Sequence, residues 1–338
     1  MGVKRALVGI STLVLLVGCA AQAKTPAPQP PPQINQSRNI VIDFGGDTNG
    51  VDQISSFLEN GGDPFAGVSN ELTSADISVI NLETAVTTQV EHQVKEYVFS
   101  SNPLILKKAK DAGVDVVNLA NNHAGDFLRP GVQETIKAAQ AAGLSVIGAG
   151  NSAKEAWGAK IFSIRGTKVA LLGIAKINGG AGTVASGDYA GTTSGWDSKA
   201  IEDAIKTALT QAKVVIIYVH WGVEEQTCAA EPEISDAKKW LAYGASVIIG
   251  SHPHRQQPVV RYGSKIVDYS LGNFAFYSRS EESLNSGIGQ LTLTPSGELL
   301  DYKFLPARID PNTGAPHLLA GVDATEAVDK KQAGCSNL

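Results

Sequence analysis

Short runs of β-branched and aliphatic residues alternate with longer segments whose apolar positions recur every three to four residues. This pattern predicts strands alternating with helices, in sheets covered by helices. Strand-like runs fall at 39–44 (NIVIDF), 77–80, 114–119, 145–148, 161–164, 168–174, 213–219 (KVVIIYV), 246–249, 265–269, 289–294 and 300–305. The pair joined by Arg165-Gly166-Thr167 reads as a hairpin, as does the last pair around Pro295-Ser296-Gly297. Amphipathic helices are expected near 103–112, 130–142, 197–211 and 233–243, with Asp197 as a cap and Gly113, Gly143 and Gly244 as stop signals. Residues 177–195 form a loop rich in glycine, serine and threonine that carries Asp188 and Tyr189 and runs into Trp196; it suits either a flap over a site or passive surface. Beyond Arg308 the periodicity fades, so 309–338 reads as a tail with His317 at the surface.

The polar residues that matter stand where these apolar runs end. His220 follows 213–219 directly; Gly250-Ser251-His252-Pro253-His254 follows 246–249; Ser270-Leu271-Gly272-Asn273 follows 265–269. Three of the chain's six histidines therefore sit at neighbouring strand ends, where ligands gather in open α/β sheets. Neutral imidazoles held on a tight Gly/Pro turn suit a transition metal. Upstream strand ends add Asp47, Glu83, and Asn122 with His123, and Asp126 lies three residues on. Two carboxylates, an amide and these imidazoles can supply two divalent metals sharing one bridging carboxylate, an arrangement that clamps an in-line displacement at phosphorus.

The amino terminus bears on the compartment. Lys4 and Arg5 precede an apolar run, 6–17, too short to span a bilayer as a resident helix, and the run ends at Gly18-Cys19. The small residue before a cysteine resembles a bacterial lipobox, in which residues 1–18 are removed and Cys19 is acylated; an ordinary cleaved signal is the alternative. Residues 19–38, with TPAPQPPPQ, read as a proline-rich tether that holds the following domain off a membrane. The formal charge is −5 and no basic block is present, which argues against a nucleic-acid partner. With Cys19 assigned to lipid, Cys228 and Cys335 remain. Outside the cytoplasm they can pair, pinning the tail to the loop after His220, or stay as two buried thiols.

The motifs GDTNG, NLETAV, NLANNHAGDF, HWGVEE, GASVIIGSHPH and YSLGNFAF together resemble the CapA family of capsule and poly-γ-glutamate synthesis proteins, within the calcineurin-like metallophosphoesterase superfamily. The resemblance covers about 39–306 and implies an α/β fold, a four-layer α/β/β/α sandwich of metallophosphatase type, with the domain at 39–308. It implies that Asp47 and His254 hold a first metal, that Asn122, His220 and His252 hold a second, and that Glu83 bridges them. His123 is implied as general acid, oriented by Asp126, while Glu224 and Asn273 support the ligands from behind. The superfamily's Asp-x-His motif has Asn49 in the histidine position here, and its bridging aspartate is Glu83. The implied cofactors are one or two divalent ions, manganese, iron or zinc. The implied partners are a phosphoester or anionic polymer substrate, a membrane reached through the lipid, and a polymer synthase or export complex. Two roles follow as expectations: an envelope-anchored hydrolase of a phosphoester or anionic-polymer link, or a non-catalytic polymer-binding accessory.

Overall fold

A computed structural model describes residues 1–3, 9 and 38–338, without positions 178, 181, 182, 279, 334 and 337. Lys4, Arg5, Cys19 and the proline-rich stretch lie outside the described residues. Asn35–Leu338 forms one compact unit, which carries all the elements found among the described residues. No helix among the described residues is long and apolar enough to cross a membrane.

In chain order the elements are β1 (Ile40–Thr48), α1 (Gln53–Glu59), α2 (Ser69–Ser74), β2 (Ile77–Leu82), α3 (Leu104–Asp111), β3 (Val116–Asn118), α4 (Leu128–Ala141), β4 (Ser145–Ile147), β5 (Ala149–Gly150) and α5 (Ala153–Ala156). There follow β6 (Lys160–Ile164), β7 (Thr167–Ala175), β8 (Gly191–Thr192), α6 (Ser198–Leu209), β9 (Val214–His220), α7 (Glu231–Tyr243) and β10 (Val247–Ser251). The chain closes with β11 (Gln256–Tyr262), β12 (Lys265–Leu271), β13 (Asn285–Leu293), β14 (Leu299–Ile309), β15 (Pro316–Leu318) and α8 (Gly321–Gln332).

Two sheets dominate, with strand orders β15-β14-β13-β1-β2-β3-β4 and β11-β12-β10-β9-β7-β6. Within the first, β1 to β4 run parallel; within the second, β7, β9, β10 and β12 run parallel. Period-two alternation sorts each strand between two cores. Val214, Ile216 and Tyr218 of β9 meet Ile40, Ile42 and Phe44 of β1 in a layer between the sheets. Val215, Ile217 and Val219 face α6 and α7 on the outside of the second sheet. Ile80 and Leu82 of β2 face α1 to α4 outside the first. Helices, two facing sheets and helices again make a four-layer α/β/β/α sandwich, and runs such as KVVIIYV are apolar throughout because both their faces are covered.

Three segments depart from the pattern expected of the sequence. Gln256–Tyr262 contains Pro258 and alternates weakly, yet β11 pairs antiparallel with β12 at the sheet edge, where a missing N–H is tolerated. The loop at 177–195 is partly ordered by β8, which pairs with β5. The carboxyl-terminal stretch is no loose tail: β15 extends the first sheet beside β14, and His317 on it is exposed.

Lys331 of α8 is fully buried, with Nζ 2.8 Å from Asp268 Oδ1 and donating at 2.8 Å to the carbonyls of Gln257 and Ser270. Tyr302 donates to the other Asp268 oxygen at 2.8 Å, so the buried charge pair is satisfied on both sides. Just past α8, Cys335 is bonded to Cys228, with Cα atoms 5.8 Å apart, joining the carboxyl terminus to the loop after β9. Reduction should lower stability by about 2–4 kcal/mol, because the bond closes a long loop of the unfolded chain. Thermal unfolding with and without dithiothreitol checks this, and equal midpoints would contradict it.

Candidate metal centre

The site lies at the carboxyl ends of the parallel strands, where the two sheets meet. A register shift between Phe44 and Asp47 bends β1 at Gly45-Gly46 and brings it against the turn after β12. Any Cβ at Gly46 would lie 1.9 Å from the Gly272 carbonyl, so only glycine permits this approach. The Asp47 N–H then donates to the Gly272 carbonyl at 2.9 Å, the Phe274 N–H donates to the Asp47 carbonyl at 2.7 Å, and Asp47 stands beside Asn273. The turn after β10 carries two non-glycine residues at positive φ, His252 at 101° and His254 at 53°. Such conformations cost of order 1–3 kcal/mol each, and they concentrate where function needs side chains aimed.

Asp47 is wholly buried and densely bonded. Asn81 Nδ2 donates to its Oδ1 at 2.8 Å, the His252 N–H donates to its Oδ2 at 3.0 Å, and His254 Nδ1 lies 3.4 Å from Oδ2. Burial alone would raise its pKa, but the His254 hydrogen bond, with His220 and the His252 N–H, outweighs burial and holds the carboxyl well below the usual range. His254 shows the reverse balance: burial lowers it, while Glu83 and Asp47 push it up to about 10. Burial, aided by His220 and His254, drives His252 well below the ordinary histidine value, so its ring is neutral and free to ligate.

Glu83 is the decisive residue. It is 0% exposed, yet neither carboxylate oxygen has a hydrogen-bond partner among the described residues. His220 Nε2 approaches Oε1 at 3.3 Å without forming a hydrogen bond. The same nitrogen lies 2.7 Å from Asn122 Oδ1 and 3.0 Å from His252 Nδ1. One imidazole proton cannot serve the carboxylate, the amide oxygen and the second imidazole together, whereas one cation can. Ser251 Oγ at 3.0 Å and Asn81 Nδ2 at 3.2 Å engage His220 Nδ1 on the side away from the cluster, so Nε2 is the nitrogen that faces Glu83, Asn122 and His252. Glu83, His220 and His252 thus form one potential metal group, and Asp47, Glu83 and His254 a second, each with ligand atoms within 4.8 Å of one another. Glu83 belongs to both, the position a bridging carboxylate requires.

His123 belongs to neither group. Its Nδ1 is 2.8 Å from Asp126 Oδ2, its ring stacks on Phe99 with centroids 4.0 Å apart, and Nε2 is left for proton transfer. It lines, with His254, Phe276, Tyr277 and Arg255, a cleft of about 360 Å³. Asn273 accepts from His254 Nδ1 at 2.8 Å and so fixes that ring. Glu224, expected behind the ligands, is instead exposed at the rim of this cleft, because the turn at Gly222 carries it outward. Asn49 is buried; its Oδ1 faces the Val51 N–H at 3.5 Å, and its Nδ2 has no partner among the described residues.

Sequence reasoning passed over an amide network behind the ligands. Asn81 Oδ1 accepts from Asn118 Nδ2 at 2.9 Å and from Asn121 Nδ2 at 3.1 Å, while its own amide holds Asp47. Asn121 Oδ1 also receives the N–H groups of His123 and Ala124, shaping the loop that presents Asn122 and His123. The available signal was the position of all three asparagines at the ends of neighbouring strands.

Comparison with known proteins places this geometry in a family. The chain is 30% identical to the capsule biosynthesis protein CapA of Bacillus anthracis over 276 residues, 79% of this chain and 65% of that protein. It is 29% identical to the PGA biosynthesis protein CapA of Bacillus subtilis over 244 residues, 68% of this chain and 64% of that one. A probable polyglutamine synthesis accessory protein of Mycobacterium tuberculosis is 25% identical over 266 residues, 71% and 67% of the two chains. The chain therefore spans just under two thirds of the length of its Bacillus relatives. Among solved structures, the NAD nucleotidase of Haemophilus influenzae is similar with a TM-score of 0.49 at 13% identity, over 88% of this chain and 63% of that one. The model of the bacterial capsule synthesis protein PGA_cap matches residues 41–278, which contain every residue of the two metal groups, and the chain belongs to that family.

Proposed function

We propose that the protein is a metal-dependent hydrolase that cleaves a phosphoester or related anionic-polymer link in capsule or poly-γ-glutamate biogenesis. In this reading it is held in the cell envelope by a lipid on Cys19 and works beside the polymer synthase or export machinery. The observation that carries the proposal is the buried Glu83 carboxylate, without a donor and common to two groups of ligands. Asp47 and His254 would hold one ion, and Asn122, His220 and His252 the other, with Glu83 between them. Manganese, iron or zinc bound there supplies Lewis acidity and an activated water at neutral pH. The chain's own part is to orient and to move protons. Asp47, Glu83 and the histidines fix the reacting group against the cleft, and His123, held through Nδ1 by Asp126, gives its Nε2 proton to the leaving oxygen.

Elemental analysis with a chromogenic phosphodiester tests the reading. Glu83→Ala and His252→Ala should each strip metal from a wild type supplied with manganese, iron or zinc. A wild type that binds no metal overturns the hydrolase reading. Metal without turnover favours a second reading, an accessory that binds anionic polymer, for which Asn49 in place of a ligating histidine is the supporting observation.

A further inference from the structure

The segment before Phe99 lies against the loop 121–126 and carries a cation the site's chemistry has not yet used. Lys95 Nζ is 2.5 Å from Asp126 Oδ1 and donates to the Asn122 carbonyl at 3.0 Å, and it lies 3.4 Å from His123 Nδ1. The Gln93 N–H donates to the Asp126 carbonyl at 2.8 Å, and Gln93 Nε2 donates to the Gly125 carbonyl at 2.7 Å. At the other end of the segment, the Phe99 N–H donates to Asp126 Oδ2 at 2.6 Å, and its ring covers His123. Asp126 is 0% exposed, and a carboxylate so placed is costly unless a cation and donors meet it. Lys95 is the cation on the oxygen that His123 does not use.

We propose that Lys95 is a positioning residue for the acid: it neutralises Asp126 and ties residues 93–99 to the loop 121–126. The Asp126 oxygen facing Nδ1 is thereby held in place, while Asn122 keeps its position through the bonds from Asn121 Oδ1 to the next two N–H groups of the loop. The pairing makes the Asp126 carboxylate a fixed acceptor, so the His123 ring keeps one orientation with Nε2 toward the cleft. Without Lys95, the carboxylate would turn toward solvent or another donor, and the ring would lose its register with the leaving oxygen. Lys95 touches neither substrate nor metal in this account; it acts through Asp126. The inference rests on His123 being the acid, and its test separates the two claims.

Lys95→Met and Lys95→Arg are compared with wild type as full chains, supplied with manganese, on two phosphodiesters with the same non-leaving group. One has a p-nitrophenyl leaving group, which departs without a proton, and the other an alkyl leaving group, which needs one. Bound metal should be equal in all three proteins. Lys95→Met should lower kcat on the alkyl ester about 10–100-fold, the usual range for removing such a supporting partner. KM and the p-nitrophenyl rate should stay near wild type, and Lys95→Arg should recover most of the loss. Equal losses on both esters, a change confined to KM, or no recovery in Lys95→Arg would overturn the proposal. Lys95→Gln replaces the methionine variant if that protein does not fold. If wild type holds metal but cleaves neither ester, the hydrolase reading falls. Lys95 is then judged by proton NMR of the His123 Nδ1–H: faster exchange with water in Lys95→Met than in wild type, restored in Lys95→Arg, supports positioning, and unchanged exchange overturns it.

Discussion

Replacing His123 with alanine should lower turnover of a phosphodiester with an alkyl leaving group about 10²–10⁴-fold while bound metal stays at the wild-type level. The separation of these two readouts follows from geometry. His123 adjoins Asn122 in sequence, yet its Nδ1 is committed to Asp126 and it belongs to neither group of metal-type ligands. The change also leaves the backbone N–H groups of residues 123 and 124 bonded to Asn121 Oδ1, so the loop presenting Asn122 keeps its shape. The Phe99 ring loses its stacking partner, which predicts a small fall in unfolding temperature and no loss of fold. Elemental analysis beside steady-state kinetics decides the matter. If metal disappears together with turnover, His123 is a ligand or a structural prop and the acid role is wrong. A substrate whose leaving group needs no proton should lose far less, which separates proton delivery from general disruption.

The Asp43→Asn variant should gain stability relative to wild type as pH rises from 4 to 8, by an amount approaching about 4 kcal/mol. Asp43 lies on β1 between Ile42 and Phe44, which fill the layer between the sheets, so its side chain points to the opposite face. It is 0% exposed, and Gln290 is the one side chain that offers its carboxyl a donor among the described residues. Burial raises its pKa from 3.8 to about 7; Gln290, directly across the ladder, lowers it only in part, and Glu71 adds to the rise. Below pH 3.8 the group is neutral in both the folded and unfolded chains and costs nothing through ionisation. Between 3.8 and about 7 the unfolded chain ionises while the folded chain keeps its proton, so stability falls with rising pH. Above about 7 the full cost is present. Asparagine cannot ionise, so the difference between variant and wild type isolates this residue from the site histidines. Urea midpoints for both proteins at pH 4, 6 and 8 provide the check, and parallel pH profiles would show that Asp43 contributes no such cost.

That the sheets are covered was legible because strands such as β9 and β10 are apolar on both faces, whereas the four-layer arrangement was implied by the resemblance of the motifs and not by the pattern. Asp47, Glu83, Asn122, His220, His252 and His254 stood out because each lies at or a few residues past the end of a strand, and the structure brings them into one cluster. What remained hidden depends on contacts far apart in the chain. Lys95 sits in a segment with no periodicity, and nothing in sequence ties it to Asp126 thirty-one positions on. Asp43 reads as an ordinary interruption of a β run until its full burial is seen. The helix at 321–332 has few apolar residues to announce it, since it is anchored by Lys331 reaching Asp268 beneath it rather than by an apolar stripe. Glu224 shows the opposite failure, a motif neighbour that the backbone turns away from the ligands.

The direction of β1 bears on how the molecule meets a surface. The chain enters this strand at Ile40 and reaches the site at Asp47, at its other end. At about 3.3 Å per residue the strand is roughly 30 Å long. Any force, surface or partner that grips the protein through the residues ahead of Ile40 therefore pulls on the pole opposite the cleft. A polymer emerging from that same surface would have to pass along the flank of the sandwich before reaching His123. One arriving from the far side would meet the open cleft first.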